Sequence, residues 1–302
     1  MNRKIKICMA IMIIGLLSSA AYSFIINRGI IGGRETLILA TTTSLYDTGL
    51  LEELEPKFEE KYNVDLRIIS VGTGVALSFA ERGDVDVLII HDRVREDKFV
   101  EEGYGINRRC IAYNYFLIVG PADDPANIKD LSPEDAFTKI MEEKSSFVSR
   151  GDDSGTHARE RLIWKSAGYD YETIRKSGTW YVEAGSGMGA TLTMASEKAA
   201  YTLVDIGTFL AYKYKLDLVS LVDEGDILLN IYAVIAVNPE RHPHANIGMT
   251  NNFINFLMSN ETQQMIGEYG VEKYKRPLFY PAANGECKII GCQTSEECAK
   301  SV

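Results

Sequence analysis

Three short runs combine hydroxyl side chains with glycine: Thr41-Thr42-Thr43-Ser44, Ser149-Arg150-Gly151-Asp152-Asp153-Ser154-Gly155-Thr156, and Gly185-Ser186-Gly187-Met188-Gly189-Ala190-Thr191. Each stands where a strand pattern hands over to a helix pattern. The first backbone N–H groups of a helix lack intrahelical partners, and the dipole there is positive, so hydroxyls and free amides at such a place suit an anion. A tetrahedral oxyanion leaves water at a large desolvation cost and needs many directed donors with few competing acceptors. Three such runs in one chain, one of them holding Arg150, point to a pocket around a small oxyanion.

One Ser or Thr would suffice to cap a helix, so four in succession nominate Thr42, Thr43 and Ser44 as ligand residues beyond capping. Val71-Gly72-Thr73-Gly74 adds Thr73 after another strand, with glycines that let backbone approach a ligand closely. In the second run Arg150 supplies an always-charged fork suited to oxyanions, and Ser154, Gly155 and Thr156 open a helix running toward Trp164. Asp152 and Asp153 would cap that helix, orient Arg150, or accept a proton from a ligand such as hydrogen phosphate; orientation of Arg150 by at least one of them is the expectation. The third run lacks the spacing and the opening βαβ unit of a dinucleotide fingerprint, so it is a glycine-rich helix start in which Gly187 and Gly189 offer backbone to the ligand. Tyr201, on the strand that follows, is expected in the core or at the rim.

Catalytic patterns fare poorly. There is no phosphate-loop lysine motif and no Gly-x-Ser-x-Gly elbow, and of four histidines His242 and His244 flank Pro243 in a turn. His157 lies close to Ser154, but near neighbours on one helix do not face each other, and a solvated first-turn histidine is expected. A serine hydrolase or phosphatase using Ser154 is the alternative from a different class; no catalytic residue and no cofactor is otherwise expected. A metal site of Asp152, Asp153 and His157 ranks lower still, because Arg150 would repel the cation.

The elements that must position these residues follow an α/β pattern from residue 35: apolar strand, short polar loop, amphipathic helix. Leu37-Ile38-Leu39-Ala40 reads as a buried strand, 47–62 as a helix with Leu50, Leu51, Leu54 and Phe58 on one face, 64–70 as a strand, 74–82 as a helix and 85–90 as a strand. A helix over 94–102 is stopped by Gly103. Ser132 as cap, Pro133 at the first position and Asp135 start another helix. Long strand patterns over 111–121 and 228–239 each end in Pro, with a second α/β unit between them, and helices return around 253–258 and 261–269. The reading is two lobes joined by two crossing strands, with helix N-termini from both facing a cleft. The first lobe is discontinuous, 35–117 and 233–285; the second is 118–232; 286–302 is a cysteine-bearing tail.

The chain has 302 residues, 46% of them hydrophobic, enough for two medium cores in a globular protein. Arg3, Lys4 and Lys6 precede an uncharged apolar run to Ile26, so residues 1–34 are expected to be an export signal or an uncleaved N-terminal membrane anchor. The first 26 residues hold three of the 32 basic residues and none of the 42 acidic ones, so the remainder carries a formal charge of −13. Nucleic acid is a poor partner for such a surface. The same excess repels an anion at long range, so binding must rely on short-range donors. Cys287, Cys292 and Cys298 crowd the tail; a Cys287–Cys292 disulfide is expected, with an incomplete metal site as the alternative.

Ala40-Thr41-Thr42-Thr43-Ser44, Val71-Gly72-Thr73-Gly74, residues 102–109, 147–157 and 183–192, and Leu278-Phe279-Tyr280-Pro281 together resemble the periplasmic tungstate-binding proteins of Tup-type ABC uptake systems, relatives of the molybdate, sulfate and phosphate receptors. The resemblance covers about 37–281. It implies a two-lobed periplasmic-binding-protein fold of the type II, Venus-flytrap kind with two crossing hinge strands, closing on tungstate or molybdate outside the cytoplasm and delivering it to a membrane permease; a monomer is expected. It places the family's Thr-Thr-Thr-Ser motif on residues 41–44, its anion-binding Arg on Arg150 and the Thr six residues later on Thr156. Ile206 stands where the family usually has Arg, and Ile231 where it usually has Pro. Arg150, Asp152 and Ser154-Gly155-Thr156 also resemble the phosphate receptors' Arg-x-Asp-x-Ser-Gly-Thr signature, which makes a phosphate receptor the nearest alternative.

Overall fold

The computed structural model describes residues 34–283 together with Cys292, Thr294, Glu296 and Glu297. The expected leader, Cys287 and Cys298 lie outside these residues. Strands β1 (Glu35–Thr42), β2 (Val64–Val71) and β3 (Val87–Ile90) are parallel, with β1 in the middle. Side chains alternate across them. Leu37, Leu39, Val87 and Ile89 enter one apolar cluster with Phe58, Phe253 and Leu257, while Ala40, Leu88 and Ile90 enter a second with Ala76, Phe99 and Ile235. A parallel sheet covered by helices on both faces must be apolar on both, and β1 and β3 are, whereas β2 at the edge carries the exposed pair Asp65–Arg67.

The long strand β4 (Gly105–Pro121) carries the chain out of this half. Residues 105–115 pair antiparallel with β9 (Leu229–Val237), which also pairs with β3. From Phe116 onward β4 pairs instead with β7 (Thr202–Asp205) and β8 (Leu218–Val222). Phe116 and Ile118 pack with Phe137, Phe147, Trp164 and Tyr201, whereas Leu117 and Val119 pack with Val148, Leu192, Val204 and Phe209, so a second two-faced core begins where β4 changes partners. A two-stranded parallel pair, β5 (Phe147–Ser149) and β6 (Tyr181–Glu183), lies within this second half. The α/β architecture with two crossing strands is therefore present, β4 going out and β9 returning.

Several boundaries differ from expectation for identifiable reasons. The helix expected over 47–62 is split into α1 (Thr43–Tyr46) and α2 (Leu50–Tyr62). The Thr48 hydroxyl donates to Leu45 O at 2.7 Å and accepts from Leu50 N at 3.3 Å, ending one helix and starting the next. Strand β3 begins at Val87, and the Asp86 carboxylate before it ties two neighbouring segments, accepting from Ile38 N at 2.8 Å and from Asn246 N at 2.7 Å. The Ser132 start is as expected, its side chain accepting from Asp135 N.

The expected Cys287–Cys292 bond is corrected: Cys292 is joined to Cys110 of β4, 182 residues away, which also removes its sulfur from any metal site. Local spacing pointed to the wrong partner because β4 brings Cys110 beside Ala282 where the chain returns. Ile231, the departure in β9, packs against this bridge.

Candidate anion site

The C-terminal ends of the parallel strands supply the first half of the site. Of the hydroxyl run that closes β1, Thr41 is structural, its Oγ1 donating to Ile89 O at 2.9 Å. Thr42 caps α1, accepting from Leu45 N at 3.4 Å, and its hydroxyl lies 3.2 Å from Ser44 Oγ. Thr43 is half-buried, and Ser44 is buried. Helix α3 (Thr73–Arg82) follows β2, and at the end of β3 the chain turns through His91 and Asp92 into α4 (Arg93–Glu101). His91 Nε2 stands 3.1 Å from Ser44 Oγ, and Nδ1 stands 2.9 Å from Asn230 Oδ1 on β9. Full burial pushes the imidazole pKa down to about 4, against the raising effects of the Asn230 hydrogen bond and Asp92, with Arg150 and Arg159 lowering it further.

The second half comes from the turn after β5. Arg150 is 2% exposed, and its Nε and Nη2 both donate to Asp152 Oδ2, leaving three of its five N–H groups for a ligand. Asp152 Oδ1 accepts from Ser154 N at 3.2 Å, so this carboxylate both orients the guanidinium and braces the turn. Asp153 serves elsewhere, bridging to Arg95 of α4 at 2.9 Å. Ser154 caps α6 (Gly155–Ser166), after α5 (Pro133–Glu143), by accepting from His157 N. Thr156 Oγ1 is buried with no hydrogen-bond partner among protein atoms. A buried hydroxyl so placed is costly unless something else engages it.

The two halves meet directly. Gly155 N donates to Thr73 Oγ1 at 3.1 Å. A Cβ on Gly155 would lie 2.6 Å from His91 Cε1, so only glycine permits this approach. The charge of Arg150 lowers the pKa of Asp47, of His91 and of buried Asp205, although burial dominates in each case. Ser44, His91, Gly155 and Thr73 thus form one junction between the halves, with the charge of Arg150 acting on the His91 ring and Thr156 next to Gly155 in the chain, beside a groove of about 930 Å³ lined in part by His91, Arg95, Asp153, Gly155 and Arg159. Gly187 caps α8 (Met188–Glu197), which follows α7 (Tyr171–Arg175), and is open on its Cβ side. Gly189 is crowded by the Tyr212 hydroxyl. No hydrogen bond among the described residues ties either glycine to the junction.

The family model for the PBP superfamily domain (periplasmic binding proteins) matches residues 31–261. The chain belongs to the PBP superfamily. The tungstate-binding protein TupA of Peptoclostridium acidaminophilum is 44% identical over 251 residues, which span 82% of this chain and 86% of that protein. Among solved structures, that of the tungstate ABC transporter from Geobacter sulfurreducens is 47% identical, covers 78% of this chain and 99% of its own, and superposes with a TM-score of 0.70. The tungstate-binding TupA of Desulfovibrio alaskensis is 39% identical, covering 82% and 98%, with a TM-score of 0.71. The resemblance to the Tup-type group rests on these relatives over most of the chain.

In this PBP-superfamily chain, three functional or supporting residues escaped the sequence reading. His91 is one; its signal was a polar His-Asp pair directly after the four-residue apolar strand β3, at the same sheet end as the hydroxyl runs. Glu160 is another, buried under the Arg150 turn, where it accepts from Ser149 Oγ at 2.7 Å, Tyr181 OH at 2.6 Å and Trp164 Nε1 at 3.2 Å. Burial raises its pKa to about 7 against these bonds. Asp205, which caps α9 (Ile206–Tyr212), is the third, with both oxygens held by Thr208. The expectation of a solvated His157 is corrected: the ring is buried, with Nδ1 accepting from Asp153 N and Nε2 2.6 Å from Tyr171 OH. Tyr201 is fully buried, its hydroxyl donating to Asp124. Ile206 is buried in the apolar cluster around Phe209.

Proposed function

We propose that this protein captures tungstate, with molybdate as its close competitor, outside the cytoplasm and presents it to the permease of an ABC importer. The observation that carries the reading is the Thr156 hydroxyl, buried and without a protein partner, in the turn that holds the buried Arg150 and meets the first half through Gly155, Thr73 and His91. The TupA relatives, named as tungstate-binding proteins, support the choice of anion. Thr42, Thr43, Ser44 and Thr73 form the wall from the first lobe, and Arg150, Ser154, Gly155 and Thr156 the wall from the second, with Gly187 and Gly189 at its margin. The lobes divide where β4 and β9 cross, near residues 116 and 229, and an anion touching both shifts them toward closure through its higher affinity for the closed form. Residues 1–34 export or anchor the chain.

Asp152 orients the cation: its Oδ2 accepts from Arg150, and its Oδ1 accepts from Ser154 N. Ser154 Oγ accepts from His157 N as a cap, and the ring nitrogens of His157 face Asp153 N and Tyr171 OH, which favours binding over a hydrolytic role for this serine. Thermal shift measured in parallel with tungstate, molybdate, phosphate and sulfate tests the reading. Stabilisation by the first two supports it; stabilisation by phosphate alone overturns it in favour of a phosphate receptor.

A further inference from the structure

The hydrogen atoms around Ser44 can be counted. Asn230 Nδ2 donates to Asn114 Oδ1 at 2.8 Å and to Tyr232 OH at 2.9 Å, which turns its carbonyl oxygen toward His91 Nδ1. In the neutral imidazole Nδ1 therefore carries the hydrogen, and Nε2 presents a lone pair to Ser44 Oγ. The Ser44 hydroxyl must donate to the ring, and its oxygen then accepts from the Thr42 hydroxyl 3.2 Å away. With His91 neutral, both hydroxyl hydrogens are spent inside the protein, and Ser44 offers an incoming anion only lone pairs. An imidazolium reverses this: Nε2–H donates to Ser44 Oγ, and the Ser44 hydrogen is free for the ligand.

The charges around the ring decide when that reversal occurs. Burial first of all holds the imidazole neutral, with Arg150 from the second half and Arg159 of α6 adding to it, while the Asn230 hydrogen bond and Asp92 at the start of α4 oppose them. The ring also faces Phe116 and Tyr232, behind which lies Asp205. A dianion paired with Arg150 cancels the repulsive cation and adds negative charge on the side from which Arg150 acts on the ring. We propose that His91 is a positioning residue for the anion: it takes up one proton from solvent as the dianion binds, and so turns the Ser44 hydroxyl from the ring to the ligand. This rests on the reading of the site as an oxyanion pocket.

Calorimetric titration of the whole protein with sodium tungstate, in buffers of differing ionisation enthalpy at pH 7, reads the proton directly. The expected result is about one proton taken up per anion, and a Kd that weakens about tenfold per pH unit between pH 6.5 and 8, the slope of a single linked proton. His91→Gln should still bind tungstate, but with a flat pH profile and no proton uptake. Binding whose heat does not depend on buffer in the wild type overturns the proposal while leaving the anion pocket standing. Uptake that persists in His91→Gln also overturns it, because the proton then belongs to another group. Failure of the wild type to bind any of the four oxyanions overturns the pocket, and the proposal with it.

Discussion

Replacing Arg150 by Ala removes the only positive side chain in the 149–156 turn. The guanidinium is buried, with two N–H groups committed to Asp152 and three left over, so truncation removes the donors proposed for the ligand. A hydrogen bond to a charged group contributes about 1.5–3 kcal/mol. At about 1.4 kcal/mol per decade, loss of one such contact weakens binding about 10–100-fold. A second effect has the same sign: Asp152, with a side chain 17% exposed, is left without its cation beside a dianion. Arg150→Ala combined with Asp152→Asn should therefore bind tungstate more tightly than Arg150→Ala alone. Calorimetry with tungstate measures the affinities, and thermal unfolding of the free proteins checks that each is folded. Binding by Arg150→Ala within threefold of the wild type would refute the role assigned to this residue.

Gly155→Ala places a methyl group against the His91 ring, so tungstate binding should weaken about tenfold or more while far-ultraviolet circular dichroism is unchanged; unaltered affinity would show that the halves do not meet as described. Breaking Cys110–Cys292 by reduction, or by Cys292→Ser, releases a cross-link of 182 residues' separation. It should lower unfolding free energy by about 2–5 kcal/mol in urea titrations; an unchanged midpoint would contradict the bond. Glu160 has a folded pKa of about 7 against an ordinary value of 4.5, so the native state keeps a proton that the unfolded chain has lost between these limits. That group's contribution to stability falls as pH rises through 4.5–7. Urea titrations at pH 5 and pH 7.5 should show Glu160→Gln gaining on the wild type at the higher pH; parallel behaviour would contradict the assignment.

The fold was legible because β1 and β3 are apolar on both faces and its helices carry clear start signals such as Ser132-Pro133. The Arg150 turn was legible because hydroxyl, glycine and guanidinium are contiguous there. What escaped depends on distance in the chain. His91 joins the site through Ser44, 47 residues earlier, and Asn230, 139 residues later. Cys110 meets its partner only because β4 runs beside the returning chain at Ala282. Thr41 shows the converse limit: a residue of the right type in the right run whose hydroxyl is spent on the neighbouring strand.

The central claim is that a single oxyanion sits between the halves, against Arg150, Ser44 and Thr156. A crystal grown with tungstate, phased on the anomalous scattering of tungsten, locates that ion directly. The account predicts one tungsten peak with its oxygens on the Arg150 guanidinium and the Thr156 hydroxyl. A tungsten atom bound only in the outer groove beside Arg95 and Arg159, or none at all, would contradict it.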